Sequence, residues 1–237
     1  MATLEEQRVA IRRLLDESSV ADAHTTYYAL HHDPKRTSLF LHYNSQHQID
    51  GFLVRAQTGL DLFRPVVVVR AENDSAALDL FKTGLLTNRP YYLVAPMPLR
   101  DLINHTLTVS DSETLCVYQL DLAHFEPPIN ILVTPHPAPD GLPRYEISAN
   151  GSVQAAAGIN WQSPHFAELY VYTEPTARRR GWGKAVVAAL SSDLLKSGRT
   201  PLYVVNEQNT ASINLATSAG FVDTGVREYT GQIALRP

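Results

Sequence analysis

Val171-Tyr-Thr-Glu-Pro-Thr-Ala-Arg-Arg-Arg-Gly-Trp-Gly-Lys184 carries the decisive pattern of this chain. A β-branched and aromatic run, Ala167 to Thr173, stops at Pro175. Three arginines follow, then Gly-x-Gly, then an apolar segment at helical spacing through Val186, Val187, Leu190 and Leu194. The spacing predicts a strand, a basic turn and a helix that opens on glycines. A helix start presents unpaired N–H groups and the positive end of a dipole, which suits a phosphate. Glycine lets an anion approach the backbone, and Arg178, Arg179, Arg180 and Lys184 add charge. The segment is expected to bind a pyrophosphate.

Two nucleotide readings fail on residue identity. A P-loop needs GxxxxGK followed by Ser or Thr, but Arg178 stands five before Gly183 and Ala185 follows Lys184. A dinucleotide fingerprint needs three glycines, and positions 181 to 186 hold only Gly181 and Gly183. The segment resembles instead the acyl-CoA signature of the GNAT superfamily of N-acetyltransferases. That signature is Gln or Arg, two residues, Gly, one residue, then Gly or Ala, here Arg178-Arg-Arg-Gly181-Trp-Gly183.

A second match lies downstream. Helix 181–197 is expected to end near Gly198, and Pro201–Asn206 reads as a buried strand. Asn209 is placed to cap a new helix, which Ala219-Gly220-Phe221 closes before a last strand. This arrangement resembles the family's second motif, whose Asn-led helix flanks the pantetheine arm. The resemblance implies acetyl-CoA as acyl donor and no metal. It puts Val171, Tyr172 and Thr173 against the pantetheine. Arg178, Arg179, Arg180, Gly181, Trp182, Gly183 and Lys184 then fall around the pyrophosphate, with Asn209 beside the arm.

An amine of pKa about 10 is mostly protonated at pH 7, so freeing its lone pair costs about 4 kcal/mol. Something must accept that proton, and in the family this is a carboxylate. Glu168 is the carboxylate on the strand before the basic loop, but the family's count falls on Ala167. Side chains alternate along a strand, so a one-residue offset turns Glu168 to the other face unless a bulge intervenes. Glu168 is therefore a proton acceptor or a structural, substrate-orienting carboxylate. The family's general-acid tyrosine is replaced by Ala216; Tyr170, Tyr172, Tyr203 and Tyr229 are possible substitutes among which the sequence does not choose.

The 237 residues are 44% hydrophobic and 19% charged, with net charge −4. That supports a real core and excludes a nucleic-acid binder driven by overall charge. Cys116 is the one cysteine, which rules out an intrachain disulfide and suits a core position. The start lacks a basic, then apolar, leader pattern, and no run has transmembrane length, so a cytoplasmic protein without membrane contact is expected. The sequons at Asn73, Asn104 and Asn150 are then chance matches. Adjacent His31 and His32, with His24, cannot form the i, i+4 face of a helical metal site and read as loop or helix-end residues. His165 reads as an exposed turn residue, and Trp182 as packing on the sheet.

Six of the fifteen prolines fall between Glu126 and Pro143. They suggest an N-terminal companion domain over 1–126, a linker over 127–143 holding a short strand Ile129–Thr134, and a catalytic domain over 144–237. Asn150-Gly151 predicts a two-residue hairpin between Tyr145–Ala149 and Ser152–Trp161. The N-terminal half reads similarly: a hairpin (Ser38–Tyr43, Gln48–Ala56), strand Pro65–Arg70, helix Ser75–Leu86, strand Pro90–Ala95, short helix Leu99–His105 and strand Thr114–Leu122. A degenerate duplication and an unrelated α+β domain both fit that half. Its helix follows Ala71-Glu72-Asn73-Asp74, which repels a pyrophosphate, so one acyl-CoA site is expected.

The expected fold is α/β (α+β), with a mixed, mostly antiparallel sheet flanked by helices. The expected activity is transfer of acetyl from acetyl-CoA to a primary amine of a small metabolite or amino acid, in a monomer or homodimer. A non-catalytic acyl-CoA sensor is the rival reading, supported by the missing tyrosine and the offset glutamate.

Overall fold

A computed structural model describes residues 2–59, 61, 63–123, 125–127, 130–139 and 141–236. Along the chain, α1 (Leu4–Ile11) and α2 (Ala23–Thr26) precede β1 (Thr37–Tyr43), β2 (Ile49–Ala56) and β3 (Val66–Ala71). Next come α3 (Asp74–Gly84), β4 (Tyr91–Pro96), α4 (Arg100–Thr106) and β5 (Leu107–Leu120). The remainder is β6 (Thr134–Pro135), β7 (Arg144–Ala149), β8 (Ser152–Gln162), β9 (Phe166–Thr173), α5 (Trp182–Lys196), β10 (Thr200–Asn206), α6 (Thr210–Ser218) and β11 (Phe221–Leu235). No described helix is long and apolar enough to cross a membrane. Of the expected strand Ile129–Thr134, Ile129 lies outside the described residues and only Thr134 joins β6, because 131 and 132 form a turn. Pro128 and Asp140 of the expected linker also lie outside them.

Two compact units emerge: residues 1–115 with 227–237, and residues 116–226. Their boundary falls inside β5 and β11, not at the proline-rich stretch. Pairing explains this. From Glu228 to Ile233, β11 runs antiparallel to β4, and Arg236 donates to the carbonyls of Asn104, His105 and Leu107. The earlier end of β11 belongs to the second unit, where Thr224 Oγ1 donates to the Val117 carbonyl.

Both units repeat one order of elements. In each, an antiparallel hairpin (β1–β2, β7–β8) pairs antiparallel with a third strand (β3, β9). A helix (α3, α5) leads to a fourth strand (β4, β10) parallel to the third, and a second helix (α4, α6) leads to a long strand. The hairpin turn at Asn150-Gly151 has φ of 53° and 74°, the doubly left-handed form that matches strand twist. The sheets are mixed and mostly antiparallel, as the sequence predicts.

The first unit is covered on both faces. Leu80, Phe81 and Ile103 from α3 and α4 pack with Leu53, Val67, Tyr91 and Leu93. Ile11, Tyr28 and Leu30 meet Phe52, Val54, Val68 and Val94 on the opposite face. In the second unit, Val186, Val187, Leu190 and Leu194 of α5 and Ala216 of α6 pack on Ala155, Ala157, Ile159, Ala167, Leu169 and Tyr203, and Cys116 is a core residue here. By alternation, Ala156, Gly158, Trp161, Glu168, Tyr170 and Tyr172 stand on the other face, which no helix of that unit covers among the described residues.

The N-terminal histidines are structural. His24 lies edge-on to Tyr28 at 4.9 Å, His31 Nε2 meets Glu17, and buried His32 contacts Thr37 Oγ1 through Nδ1. Burial lowers the His24 pKa from 6.5 to about 4. Between those values the unfolded chain binds a proton that the folded chain does not. The stabilisation is thus complete above pH 6.5 and declines as the pH falls towards 4, by up to about 3 kcal/mol. Denaturant titrations over that range should show this slope in the native protein and a flatter one in His24→Phe. Ending the chain at Val226 removes one of the two strands that pair with β4, leaving β3. Hydrogen exchange should then rise in Tyr91–Pro96 and stay low in Phe166–Leu169, whose partners lie in the second unit.

Candidate active site

Helix α5 begins differently from the other described helices of eight or more residues, α1, α3 and α6. Thr3 caps α1 through the N–H of Glu6, Asn73 caps α3 through Ala76, and Asn209 caps α6 through Ser212. Gly181, the N-cap of α5, offers no side-chain acceptor, so the first N–H groups of this 15-residue helix face outward without one. Gly181 is left-handed at φ 74°, ψ 2° and is followed by a right-handed helical residue. That backbone order turns successive N–H groups into one concavity suited to an anion. Arg179, also left-handed at φ 62°, holds the turn in its bent form.

Four cations belong to this turn and the first turn of α5. Arg178, Arg179 and Arg180 are exposed and Lys184 is partly buried, and none of the four joins a described ion pair. Arg180 lies over the ring of Trp182 at 5.1 Å, and Trp182 packs on the core beneath α5, as its expected packing role requires. In the first unit the equivalent place is filled: the Asn73 side chain occupies the start of α3, and Arg70 is paired with buried Asp22 at 2.6 Å.

The two glycines do different work. A Cβ on Gly181 meets nothing within 4 Å, so its requirement is the left-handed backbone alone. A Cβ on Gly183 would lie 2.8 Å from Thr173 Oγ1 and 3.1 Å from Leu215 Cδ1. Gly183 is therefore glycine for close packing of α5 on β9 and α6, not for open approach of a ligand. This corrects the sequence-based reason for Gly183 while leaving its N–H at the helix start.

Behind the helix start, β9 and β10 part company. Their parallel ladder runs from Phe166↔Thr200 to Leu169↔Tyr203 and stops, although both strands continue. Val171, Tyr172 and Thr173 remain paired with β8 through Ala157, Ala156 and Ala155. Backbone groups alternate in direction, so alternate residues of 170–173 present theirs to the gap opposite β10. Four residues separate Leu169 from Thr173, roughly 13 Å of strand. Asn209 lies beyond the end of β10, with its side-chain oxygen committed to the α6 cap.

Glu168 sits at that meeting point, paired with Leu202 in the last but one rung. It faces away from α5, as alternation from Ala167 and Leu169 demands. The strand pair does carry a bulge, on β8 and not on β9, where Asn160 is the extra residue between Ile159 and Trp161. Asn160 Nδ2 donates to Glu168 Oε1 and Trp161 Nε1 donates to Oε2, both at 2.6 Å. Desolvation raises the Glu168 pKa, against the opposing pull of these two donors. Neither donor is evident from sequence, since only the bulge brings consecutive residues onto one carboxylate.

The structure also sorts the tyrosines. Tyr203 is buried and bonded to Ser212, and Tyr229 donates to Asn104 in the first unit. Tyr170 and Tyr172 share the Glu168 face; the Tyr170 ring lies over Gly158, and the Tyr172 hydroxyl donates to Glu174. That acidic partner raises the Tyr172 pKa. Ala216 is fully buried, and His165 is an exposed turn residue whose carbonyl accepts from Thr200.

Comparison with known proteins agrees with this geometry. Residues 148–230 match the FR47-like protein family. A GCN5-related N-acetyltransferase-like protein from Streptococcus suis superposes with TM-score 0.61 at 15% identity, over 97% of this chain and 100% of that one. A GCN5-related N-acetyltransferase from Kribbella flavida gives 0.62 at 14%, over 94% and 95%. A tandem GNAT protein from the clavulanic acid biosynthesis pathway gives 0.57 at 14%, over 97% and 93%. No curated protein matches the chain in sequence. The protein has the fold of the GNAT superfamily, in a tandem arrangement of two such units.

Gly181→Ala should leave the fold intact at a cost of about 1–2 kcal/mol and weaken CoA binding, read by calorimetry. Unchanged affinity in the folded variant would remove the α5 start from the site. Gly183→Ala should lose about 1–3 kcal/mol of stability, part of which Thr173→Ala restores in the double variant.

Proposed function

We propose that the second unit transfers an acetyl group from acetyl-CoA to the primary amine of a small metabolite or amino acid. The carrying observation is one line of features: an uncapped, cation-ringed helix start, a parting of parallel strands, and Glu168 where they meet. The pyrophosphate fits the N–H groups of Arg179 to Lys184, with Arg178, Arg179, Arg180 and Lys184 supplying charge. The pantetheine arm then follows Val171, Tyr172 and Thr173, and Asn209 at the head of α6 flanks it.

The reaction needs little from the protein beyond position and a proton acceptor. The amine nitrogen forms a bond to the acetyl carbon as the C–S bond breaks. Glu168 takes the proton the nitrogen loses, and the thiolate leaves with the electron pair and is protonated from solvent. A raised carboxylate pKa suits this exchange, because proton transfer is most effective when the acceptor's pKa approaches the working pH. A thiolate is a good leaving group, so Ala216 in place of a tyrosine does not prevent the step. Ala216 does favour one rival, an acyl-CoA sensor that binds without turnover.

Thiol release from acetyl-CoA in a panel of small amines separates the two readings. Glu168→Gln should lower kcat by about a hundredfold or more while CoA binding stays intact. Its acidic limb should vanish, the rate rising with pH towards the free amine's own pKa. An unchanged kcat and pH profile in Glu168→Gln would remove Glu168 from the proton transfer, and binding without thiol release from any amine would favour the sensor.

A further inference from the structure

The β8 bulge has a chemical consequence at Glu168. In a regular ladder, Asn160 and Trp161 would point to opposite faces. The extra residue puts Trp161 opposite Glu168 and leaves Asn160 beside it, so one carboxylate receives two N–H donors, one per oxygen. Indole donates only and cannot accept, so Trp161 holds Oε2 whatever the charge on Glu168. It is buried, with 3% of its surface exposed. Asn160 is exposed and meets Oε1 at the solvent edge. Each carboxylate oxygen retains a further lone-pair direction, which is enough to accept a proton from an amine or a bridging water.

We propose that Asn160 and Trp161 are positioning residues for Glu168, with Trp161 fixing the carboxylate's orientation through Oε2 and Asn160 steadying Oε1, the oxygen nearer solvent. This rests on the reading of Glu168 as the proton acceptor. Among the described residues of the elements packed beside Glu168, no competing charge accounts for the arrangement. Strand β8 carries no titratable side chain, and on β10 only Tyr203 titrates, on the other face and bonded to Ser212. On β9 itself Tyr170 shares the Glu168 face with its ring over Gly158, Tyr172 is bonded to Glu174, and Glu174 lies beyond the strand's end. Lys184 and Asp193 belong to α5, on the opposite face, and Arg144 is paired with Glu146 on β7. Burial and the two donors are the causes of the Glu168 shift.

The test uses the full chain with Asn160→Ala, Asn160→Asp and Trp161→Phe, each checked for folding by thermal denaturation. Glu168 is titrated by carboxyl carbon NMR in the free protein, with Glu168→Gln assigning its signal, and kcat/KM is followed against pH for an accepted amine. Removing a donor to the charged form should raise the Glu168 pKa in Asn160→Ala and in Trp161→Phe. Asn160→Asp, which adds a like charge at an exposed site, should raise it more. The acidic limb of kcat/KM should move up in step, with roughly a tenfold loss at neutral pH for Trp161→Phe, while CoA affinity holds. A Glu168 titration that stays put in folded Asn160→Ala and Asn160→Asp would overturn the positioning role, leaving the reading of Glu168 to its own substitution. A titration that moves while the rate profile does not would sink Glu168 as proton acceptor, and the positioning role with it.

Discussion

Strands β9 and β10 pair over four residues, and both continue after their ladder has ended. Everything at the site depends on that separation. A continuous parallel ladder would satisfy the backbone of residues 170–173 on both sides and leave no room beside it. Because the strands part, polar backbone is left open along a line that starts at Glu168 and ends at the first turn of α5. Close approach of α5 to β9 is the second half of the constraint. Gly183 has no side chain to hold the helix away from Thr173, so the helix start lies against the end of the strand.

The electrostatics follow from where each group sits along this line. At the outer end, exposed arginines and the helix start create a local positive field in a chain of net charge −4. At the inner end, burial makes the charged form of Glu168 costly, while indole and amide donors keep the carboxylate oriented. An anion is favoured at one end, and the proposed proton acceptor, Glu168, stands at the other. The repeated unit shows what happens without these features. There Asn73 closes the helix start, Arg70 is consumed by Asp22, and the parting of β3 from β4 after Val68 and Val94 has no open helix start beside it.

The strands β5 and β11 are each divided between the two units, and both ends of the chain fall in the first. Residues 227–235 belong to the first unit and pair with β4 inside its sheet, although the sequence places them after the helices and hairpin of the second. A strand contributes hydrogen bonds through its backbone, and these carry no sequence label, so a proline-rich stretch is a poor guide to where packing divides.

Much of the fold was legible because local chemistry dictated it. Asn150-Gly151 could adopt the two left-handed positions of a tight hairpin, Asn209 could cap a helix, and Gly181 could take the turn before α5. The arginine run and its flanking strand were enough to bring the GNAT resemblance forward. What the sequence could not decide was set by contacts between distant or oppositely facing residues. Gly183 and Thr173 meet only because helix and strand pack, and Tyr203 is withdrawn from the site only because Ser212 lies over it. Glu168 read as one residue out of place on its own strand. Its setting came from a bulge on the neighbouring strand, which no count along β9 can reveal. Composition and spacing thus determined the elements and the basic, glycine-opened turn before α5, because those are properties of contiguous residues. The direction and surroundings of each reactive side chain were decided by strand register and packing, which exist only once the chain has folded.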